Sequence, residues 1–589
     1  MLGNISNELE CKGSFTNRDQ FPVRLESANP FVVAQEFEFL YKSQQDETFR
    51  HTKQTHVKDK FIEDLYKEQK RGLLKRVDRM PKNPKLINNL GTFYLNNGKY
   101  DEAISSFKEA LEIDDKFMPL LTNMAKAYFL KGNLESALEI YYRIEKIDSQ
   151  SVGALNNIAN ILIAQNRFDQ AYEYYRRVLK LDQSNYFALN SIATIYLLRN
   201  KVDKAISYYR KAIAIKNDLP HINNNLGVCH AIKNNYKKAV KYFLVSLHLN
   251  YSTGTLLNLV RAYQEQNLHE KAIQLLEESL SKGYDDRRVR DTLAYSYLRI
   301  KDYKNSLRIL KVLLQLVEGE GDEEQRVGTL NNIGLNYQCM REYDAAEKYY
   351  KLCLLNKEQR TPLFVHNAIN LYFLRDKIED AKELINQGLV SFPDDPLMLE
   401  SLSRYYFEKG DYDKSKETAN NVIAIKPDMM DAYALLSVIE MEVNRDTQKS
   451  FDILMKAASV DSDNITVINN LAYNYLLMND TIGARKILDK VSSEDNHFLY
   501  ATRGLLLLME GNLEEGNRLY NLAIKSAHKE SAIKILIEQK KYLETGKYYL
   551  KRENVKEAQK LLEKAVSIKS KHSYFKDQAE KLLRELPIV

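Results

Sequence analysis

The sequence predicts an all-α solenoid of stacked antiparallel helix pairs, and three observations carry that prediction. First, an apolar residue followed by a small one recurs in steps of 34: Leu90-Gly91, Met124-Ala125, Ile158-Ala159, Ile192-Ala193 and Leu226-Gly227. A fixed period of this length is the signature of a repeat array. Second, the residues inside each period keep helical spacing. Ile87, Leu90, Gly91 and Tyr94 share one helix face, and Ala103, Phe107 and Ala110 share another. Third, the 589 residues contain only 21 Gly and 11 Pro. Ala, Leu, Lys and Glu fill long stretches, which favours helix over a turn-rich β fold.

The elements follow in order. Residues 1–56 read as largely disordered, although PFVVAQEFEFLYKSQ (Pro30 to Gln44) has the pattern of one amphipathic helix. Residues 57–83 hold a charged amphipathic stretch, Val57 to Met80, expected to cap the first unit. Residues 84–326 hold units one to seven. In the first, Asn96-Asn97-Gly98 ends helix A because Gly accepts a left-handed backbone. Asp101 and Glu102 then open helix B, where the helix dipole favours negative charge. Gly91 and Ala103 are small so that the two helices can approach, and Phe107 fills the groove against the next unit. An expansion around VEGEGDEEQ, Val317 to Gln325, is expected to be a surface loop. Residues 327–569 hold units eight to fourteen, matched at Ile333-Gly334, Ala368-Ile369, Leu402-Ser403, Leu436-Ser437, Leu471-Ala472, Arg503-Gly504 and Thr545-Gly546. The units at Asp431 to Asp461 and near Leu550 are the weakest, so irregular packing is expected there. Residues 570–589 supply a closing helix, Ser573 to Glu585, needed to cover the last apolar face.

This spelling resembles the tetratricopeptide repeat (TPR), over about 485 residues. The small residue of helix B recurs as Ala103, Ala137, Ala171, Ala205, Ala239, Ala272, Ala346, Ala381, Ala484 and Ala558, and the bulky one as Phe107, Tyr141, Tyr175, Tyr209, Phe243 and Tyr350. The usual Trp of helix A is missing, and the closing Pro survives only as Pro393 and Pro427. The resemblance implies a right-handed superhelix whose helices A line a concave groove.

Composition bounds the function. The net charge of +6 is small for this length, so one dominant basic field for nucleic acid is excluded. The ends are basic: residues 51–85 carry 11 Lys and Arg against 5 Asp and Glu, and residues 525–585 carry 16 against 9. The middle is read as roughly balanced or slightly acidic. Cys11, Cys229, Cys339 and Cys353 form no C-x-x-C pair and lack metal-ligand spacing, which suits a reducing compartment. The start, MLGNISNELECKGSF, is not a secretory signal, and no run is apolar enough to span a membrane. The cytoplasm is the expected location.

No phosphate-binding loop, dinucleotide fingerprint, zinc-protease motif or nucleophile elbow is present. His221 and His230 sit nine residues apart, off a common face. Acidic pairs such as Asp285-Asp286 and Asp394-Asp395 read as helix starts. No catalytic residue, metal, cofactor or small-molecule substrate is therefore expected.

One row exceeds core packing. The residue before the Leu-Gly pair is Asn89, Asn123, Asn157, Asn225, Asn258, Asn332, Asn367 and Asn470, with Ser191, Thr292, Ser401 and Thr502 as polar stand-ins. The residue before that is also Asn in five units: Asn88, Asn156, Asn224, Asn331 and Asn469. An amide offers donors and an acceptor, so such a row can hold the backbone of an extended peptide. It is similar to the asparagine ladder in the repeat arm of O-GlcNAc transferases, without their catalytic domain. Three residues after the row stand Lys126, Asn160, Arg261, Asn370 and Arg404 as candidate readers of side chains. The two-carboxylate clamp of chaperone-binding TPR proteins is not in register, since Thr122 and Lys126 stand where Lys and Asn are wanted. The reading is a non-catalytic scaffold that binds other proteins, as part of a multi-protein complex. The alternatives are a helical-repeat RNA-binding protein and a regulatory or substrate-recruiting subunit of an enzyme. RNA binding is disfavoured because the Tyr residues occupy packing positions and the groove row is Asn.

Overall fold

The computed structural model describes residues 55–491, 496–527, 532–569 and 574–586. The segment expected to be disordered, with its candidate helix at Pro30 to Gln44, lies outside them. Every regular element among the described residues is helical. They form two compact units, one ending at Ile300 and one beginning at Lys301.

The first unit opens with a helix over Thr55–Arg79. Six antiparallel pairs follow, from Pro84–Asn96 with Tyr100–Ile113 to Thr253–Gln264 with His269–Ser281, and helix Arg287–Arg299 ends the unit. The leading helix packs Leu73 and Val77 on the core of the first pair, and Tyr66 stacks on Phe93 at 5.1 Å. The second unit opens on helix Tyr303–Glu320, holds seven pairs from Glu323–Cys339 with Tyr343–Leu355 onward, and closes on Tyr574–Arg584. That last helix buries Phe575 and Ala579 against Leu543 and Leu562.

The same local causes build each pair. Asn and Asp caps accept backbone N–H bonds at helix starts: Asn83 from Lys85, Asp286 from Arg288, and Asp395 from Leu397 and Met398. Each turn between helices A and B carries one left-handed residue. In the first unit these are Gly98, Gly132, Asn166, Asn200, Asn234 and Asn267, and in the second Arg341, Asp376, Gly410, Arg445, Asn479, Gly511 and Glu553. Only the left-handed geometry lets helix A stop and its carbonyls find donors within two residues. Packing then depends on one small-to-large contact per pair. A Cβ added to Gly91 would lie 2.4 Å from the Phe107 ring, one on Gly227 2.4 Å from Phe243, and one on Gly334 2.7 Å from Tyr350. These rings are essentially fully buried.

One expectation is corrected. The expansion at Val317 to Gln325 is not a loop. It lengthens two helices, Tyr303–Glu320 and Glu323–Cys339, around Gly321 at φ +71°. Asp322 caps the second of these by accepting from Gln325 N–H, so the acidic residues serve a helix start. The middle of the chain is near balance, with 54 Lys and Arg against 58 Asp and Glu over residues 86–524, but one stretch within it is basic. Residues 167–241 carry fourteen Lys and Arg against five Asp and Glu, and Arg176, Arg210, Lys211, Lys237, Lys238 and Lys241 are exposed. Elsewhere, the weak unit at Asp431 to Asp461 carries a π-helical turn, Ile439–Val443, at the end of helix Met430–Val438. That turn swings Glu440 inward between Lys416 (2.9 Å) and Lys449 (3.0 Å).

Candidate functional site: the amide face of helices A

The row of amides divides by depth. In the first unit Asn89 is exposed, Asn123, Asn156 and Asn157 are half-buried, and Asn88, Asn224, Asn225 and Asn258 are buried. In the second unit Asn331, Asn332, Asn367, Asn469 and Asn470 are all buried.

The deeper amides bond to one another between successive pairs. Asn258 Nδ2 donates to Asn224 Oδ1 at 3.0 Å, and Asn224 Nδ2 to Asn225 Oδ1 at 3.4 Å. The second unit repeats the arrangement, with Asn367 Nδ2 to Asn331 Oδ1 at 2.8 Å and Asn331 Nδ2 to Asn332 Oδ1 at 3.2 Å. Asn469 donates to Asn470 at 3.5 Å. The doubled Asn thus has a division of labour. Its first member accepts from the row residue of the next pair, and its second fixes the first. Buried amides need such partners, because an enclosed polar group without one is costly.

The shallower amides keep capacity to spare. Asn123 Nδ2 is held by Asn88 Oδ1 (3.1 Å) and Thr92 Oγ1 (3.2 Å), which leaves its Oδ1 pointing away from both. Asn156 Oδ1 is enclosed without a hydrogen-bond partner among the described residues. These groups lie on successive helices A, Met118–Leu130 and Val152–Ala164, and the first of these also carries the half-buried Lys126.

The five reader positions differ. Asn160 Oδ1 accepts from the buried Tyr175 hydroxyl, so it serves the core of its own pair. Arg261, half-buried, is 3.7 Å from Glu265 and lines a cavity of about 190 Å³ with Asn258, Tyr236 and Phe243. Asn370 Nδ2 meets His366 Nε2 at 2.8 Å. Arg404 is only 3% exposed and stacks 4.5 Å over Phe373.

Sequence reasoning missed the neighbours that complete this face. Asn190, Asp291, His366 and Glu400 continue the register of Asn88, Asn156 and Asn224, and Asn190, Asp291 and Glu400 are buried. His366 Nδ1 lies 3.6 Å from Glu400 Oε2 and 3.0 Å from Ser401 Oγ. The repeat step alone would have found all four. Further along, Lys540 sits 3.9 Å over the Tyr473 ring, and burial brings its ammonium down to about 8. Burial alone would push Glu440 up, but Asn444, Lys416 and Lys449 together hold it down to about 2. Among the described residues no cluster of His, Cys, Asp or Glu has a metal-binding arrangement. No described helix is long and apolar enough to cross a membrane.

Family models of the tetratricopeptide repeat match residues 84–117, 150–218, 255–289, 326–355 and 398–429. The chain is a tetratricopeptide repeat protein. No curated protein matches it. Solved structures that it resembles include the MamA protein, 24% identical over 29% of this chain and 93% of that one, with a TM-score of 0.26. PilF of Pseudomonas aeruginosa is 19% identical over 36% of this chain and 97% of that one, with a TM-score of 0.32. The Cut9–Hcn1 hetero-tetramer of the APC/C gives 13% identity over 79% of this chain and 94% of that one, with a TM-score of 0.34. As a TPR protein the chain has an architecture suited to a protein-interaction scaffold.

Proposed function

We propose that this TPR protein is a non-catalytic scaffold that holds extended segments of partner proteins along its helices A, within a multi-protein assembly in the cytoplasm. The observation that carries the reading is the run of exposed or half-buried amides, Asn89, Asn123 and Asn157, on three successive helices A, with Asn123 already held by its neighbours. The bonds that Asn123 Nδ2 donates to Asn88 and Thr92 fix its amide before any partner arrives, so little side-chain entropy is lost on binding. An extended backbone offers one donor and one acceptor per residue, which such amides match without regard to its side chains. Lys126 would add preference for an acidic residue. The deeper amides, Asn224, Asn225, Asn258, Asn332, Asn367 and Asn470, hold neighbouring pairs in register behind this surface.

The test is affinity capture from native lysate with the wild type and with N123A/N156A/N157A, after circular dichroism has shown equal helicity. The expected result is a defined set of proteins captured by the wild type and lost from the variant. Identical capture by both would remove the amide face from the reading. Capture of RNA in place of protein would remove the scaffold.

A further inference from the structure

In the first unit the sign of one repeat position is reversed. Two residues before the small Ala of helix B stand Asp101, Glu135, Asp169, Asp203 and Glu270, but helix Tyr236–Leu249 has Lys237 there. Three of those acids tie their pair to the next: Asp101 to Lys131 at 2.5 Å, Asp169 to Arg199 at 2.8 Å and Asp203 to Lys233 at 2.5 Å. Two residues after the Ala, where earlier pairs have Glu139 and Glu173, this helix has Lys241. Among the described residues it is the one helix B of the first unit with no acid in its first turn. Lys237 and Lys238 therefore sit at the positive end of the helix dipole, and Lys241 follows Lys237 by one turn. Both arrangements are unfavourable to the helix.

No anion offsets them. Lys237, Lys238 and Lys241 are exposed, as is Arg210 on the preceding helix B, Val202–Ile215, and none of the four makes a side-chain ion pair among the described residues. Lys211 is exposed as well and lies 5.2 Å from the Tyr208 ring. The two helices share one core through Tyr209, Ala212, Ala239 and Phe243. His230, stacked on Tyr242 at 5.4 Å, feels charge from both: its imidazole is held below its usual range first by burial, then by Lys238, Arg210 and Lys233. One turn beyond Lys241 come Leu244 and Val245, 45% and 46% exposed, where the two preceding helices B have Arg176 with Arg177 and Arg210 with Lys211. Lys237, Lys241, Leu244, Val245 and His248 form one outward stripe, opposite the buried Ala239, Phe243 and Ser246. The next helix B, His269–Ser281, turns Glu270, Glu277 and Glu278 outward and bounds the patch.

We propose that the outward face of helix Tyr236–Leu249, with Arg210 and Lys211 beside it, docks an acidic amphipathic helix of a partner protein. Charge complementarity and the two aliphatic side chains choose this occupant. Its apolar stripe covers Leu244 and Val245, and its flanking carboxylates face Lys237, Lys241 and Arg210. An apolar centre with a charged rim is the anatomy of a protein interface. An RNA strand supplies negative charge but no apolar stripe to cover Leu244 and Val245. Repulsion from Glu270, Glu277 and Glu278 keeps an acidic partner off the next pair, so the partner is confined to this helix and the one before it. The amide row lies on helices A and this patch on helices B, so the chain can hold two partners on different faces.

Two measurements on the full chain test this. The first is the thermal midpoint of K237E without partner. The substitution restores the sign of the repeat and suits the helix dipole, so a lysine kept for a partner gives an unchanged or raised midpoint. A lowered midpoint makes Lys237 a residue of the fold and overturns the proposal. The second is fluorescence anisotropy with labelled peptides of about five helical turns: a Glu-rich one with Leu at helical spacing, a scramble of the same composition, and the same helix with Lys in place of Glu. Binding of the first that exceeds the other two at least tenfold, and that falls at least tenfold in both K237E/K241E and L244S/V245S at equal helicity by circular dichroism, supports the docking face. Equal binding of helix and scramble, binding that either variant leaves unchanged, or no binding by the wild type overturns it. Vesicles of phosphatidylcholine with phosphatidylserine, and a uridine oligonucleotide, are run alongside. Tighter binding of either than of the acidic helix, lost in K237E/K241E, assigns the patch to a lipid surface or to RNA and overturns the proposal. These variants leave Asn123, Asn156 and Asn157 intact, so amide-dependent capture that survives them separates failure of this face from failure of the scaffold.

Discussion

Gly227 offers the sharpest test of how the pairs are locked. A methyl group there would lie 2.4 Å from Phe243 Cε1, 2.5 Å from Cδ1 and 2.9 Å from Cζ. Carbon atoms rest at about 3.5–4.0 Å, so the ring must move by more than an ångström, and Phe243 is fully buried, its room to shift being the cavity it lines with Asn258, Tyr236 and Arg261. Overpacking of this kind costs about 1–3 kcal/mol, and the closeness of three ring atoms places G227A near the upper figure. Alanine recovers about 1 kcal/mol of helix propensity, so the net loss is about 2 kcal/mol. Gly153 provides the control, because a methyl group there meets nothing within 4 Å. G153A should therefore gain a few tenths of a kcal/mol to about 1. Guanidinium unfolding followed by circular dichroism reads both variants, and F243L in the G227A background should return part of the loss, since the two residues share one space. A G227A midpoint equal to or above that of the wild type would refute the small-to-large account of the pair.

Three further outcomes are expected. Lys540 has a folded pKa of about 8, below the roughly 10.4 of an unfolded chain. The folded state therefore binds fewer protons between those values, and stability rises with pH across that window. K540M should remove the rise and add about 1–3 kcal/mol at pH 7, which denaturation at pH 7 and 9.5 will show. Glu440, held at about 2, contributes stability that is present above about pH 4.5 and is lost as pH falls toward 2. E440Q should cost about 1–2 kcal/mol at pH 7 after allowance for the part-exposed lysines, and should flatten the acid limb of a circular-dichroism titration. Burial pushes the Cys229 and Cys353 thiols up to about 12. Iodoacetamide at pH 8 should label both at least tenfold more slowly in the native protein than in denaturant, as read by mass spectrometry of the peptides.

The fold was legible because its cause is periodic. Gly91 and Phe107 announce their contact through spacing alone, and the same spacing returns at Gly227 with Phe243 and at Gly334 with Tyr350. The acidic expansion was misread because Gly, Glu and Asp favour a turn in isolation, whereas tertiary packing lets one left-handed Gly321 join two long helices. The amide positions could be read off, but not their depth. Asn123 and Asn258 are equivalent in sequence, yet one is half-buried and the other buried. What differs is the side chains that flank them in neighbouring pairs, which a period does not report. Arg404 could be placed on its face, but not its burial against the Phe373 ring, which depends on the neighbouring pair.

The bonds that join one pair to the next are unevenly distributed around each unit. Helices A are tied by short amide links such as Asn258 to Asn224 and Asn367 to Asn331. Helices B meet through rings and part-exposed ion pairs, as where Tyr142 meets Tyr174 at 6.4 Å beside the Arg177–Glu145 pair. An array built this way has a stiff side and a compliant one. Tension that spreads helices A must break hydrogen bonds that are enclosed from water, while tension that spreads helices B acts on rings and on ion pairs that water can replace. Each unit should therefore behave as a spring with a preferred bending direction, yielding on the outer side first and keeping the spacing of its amides nearly constant under load.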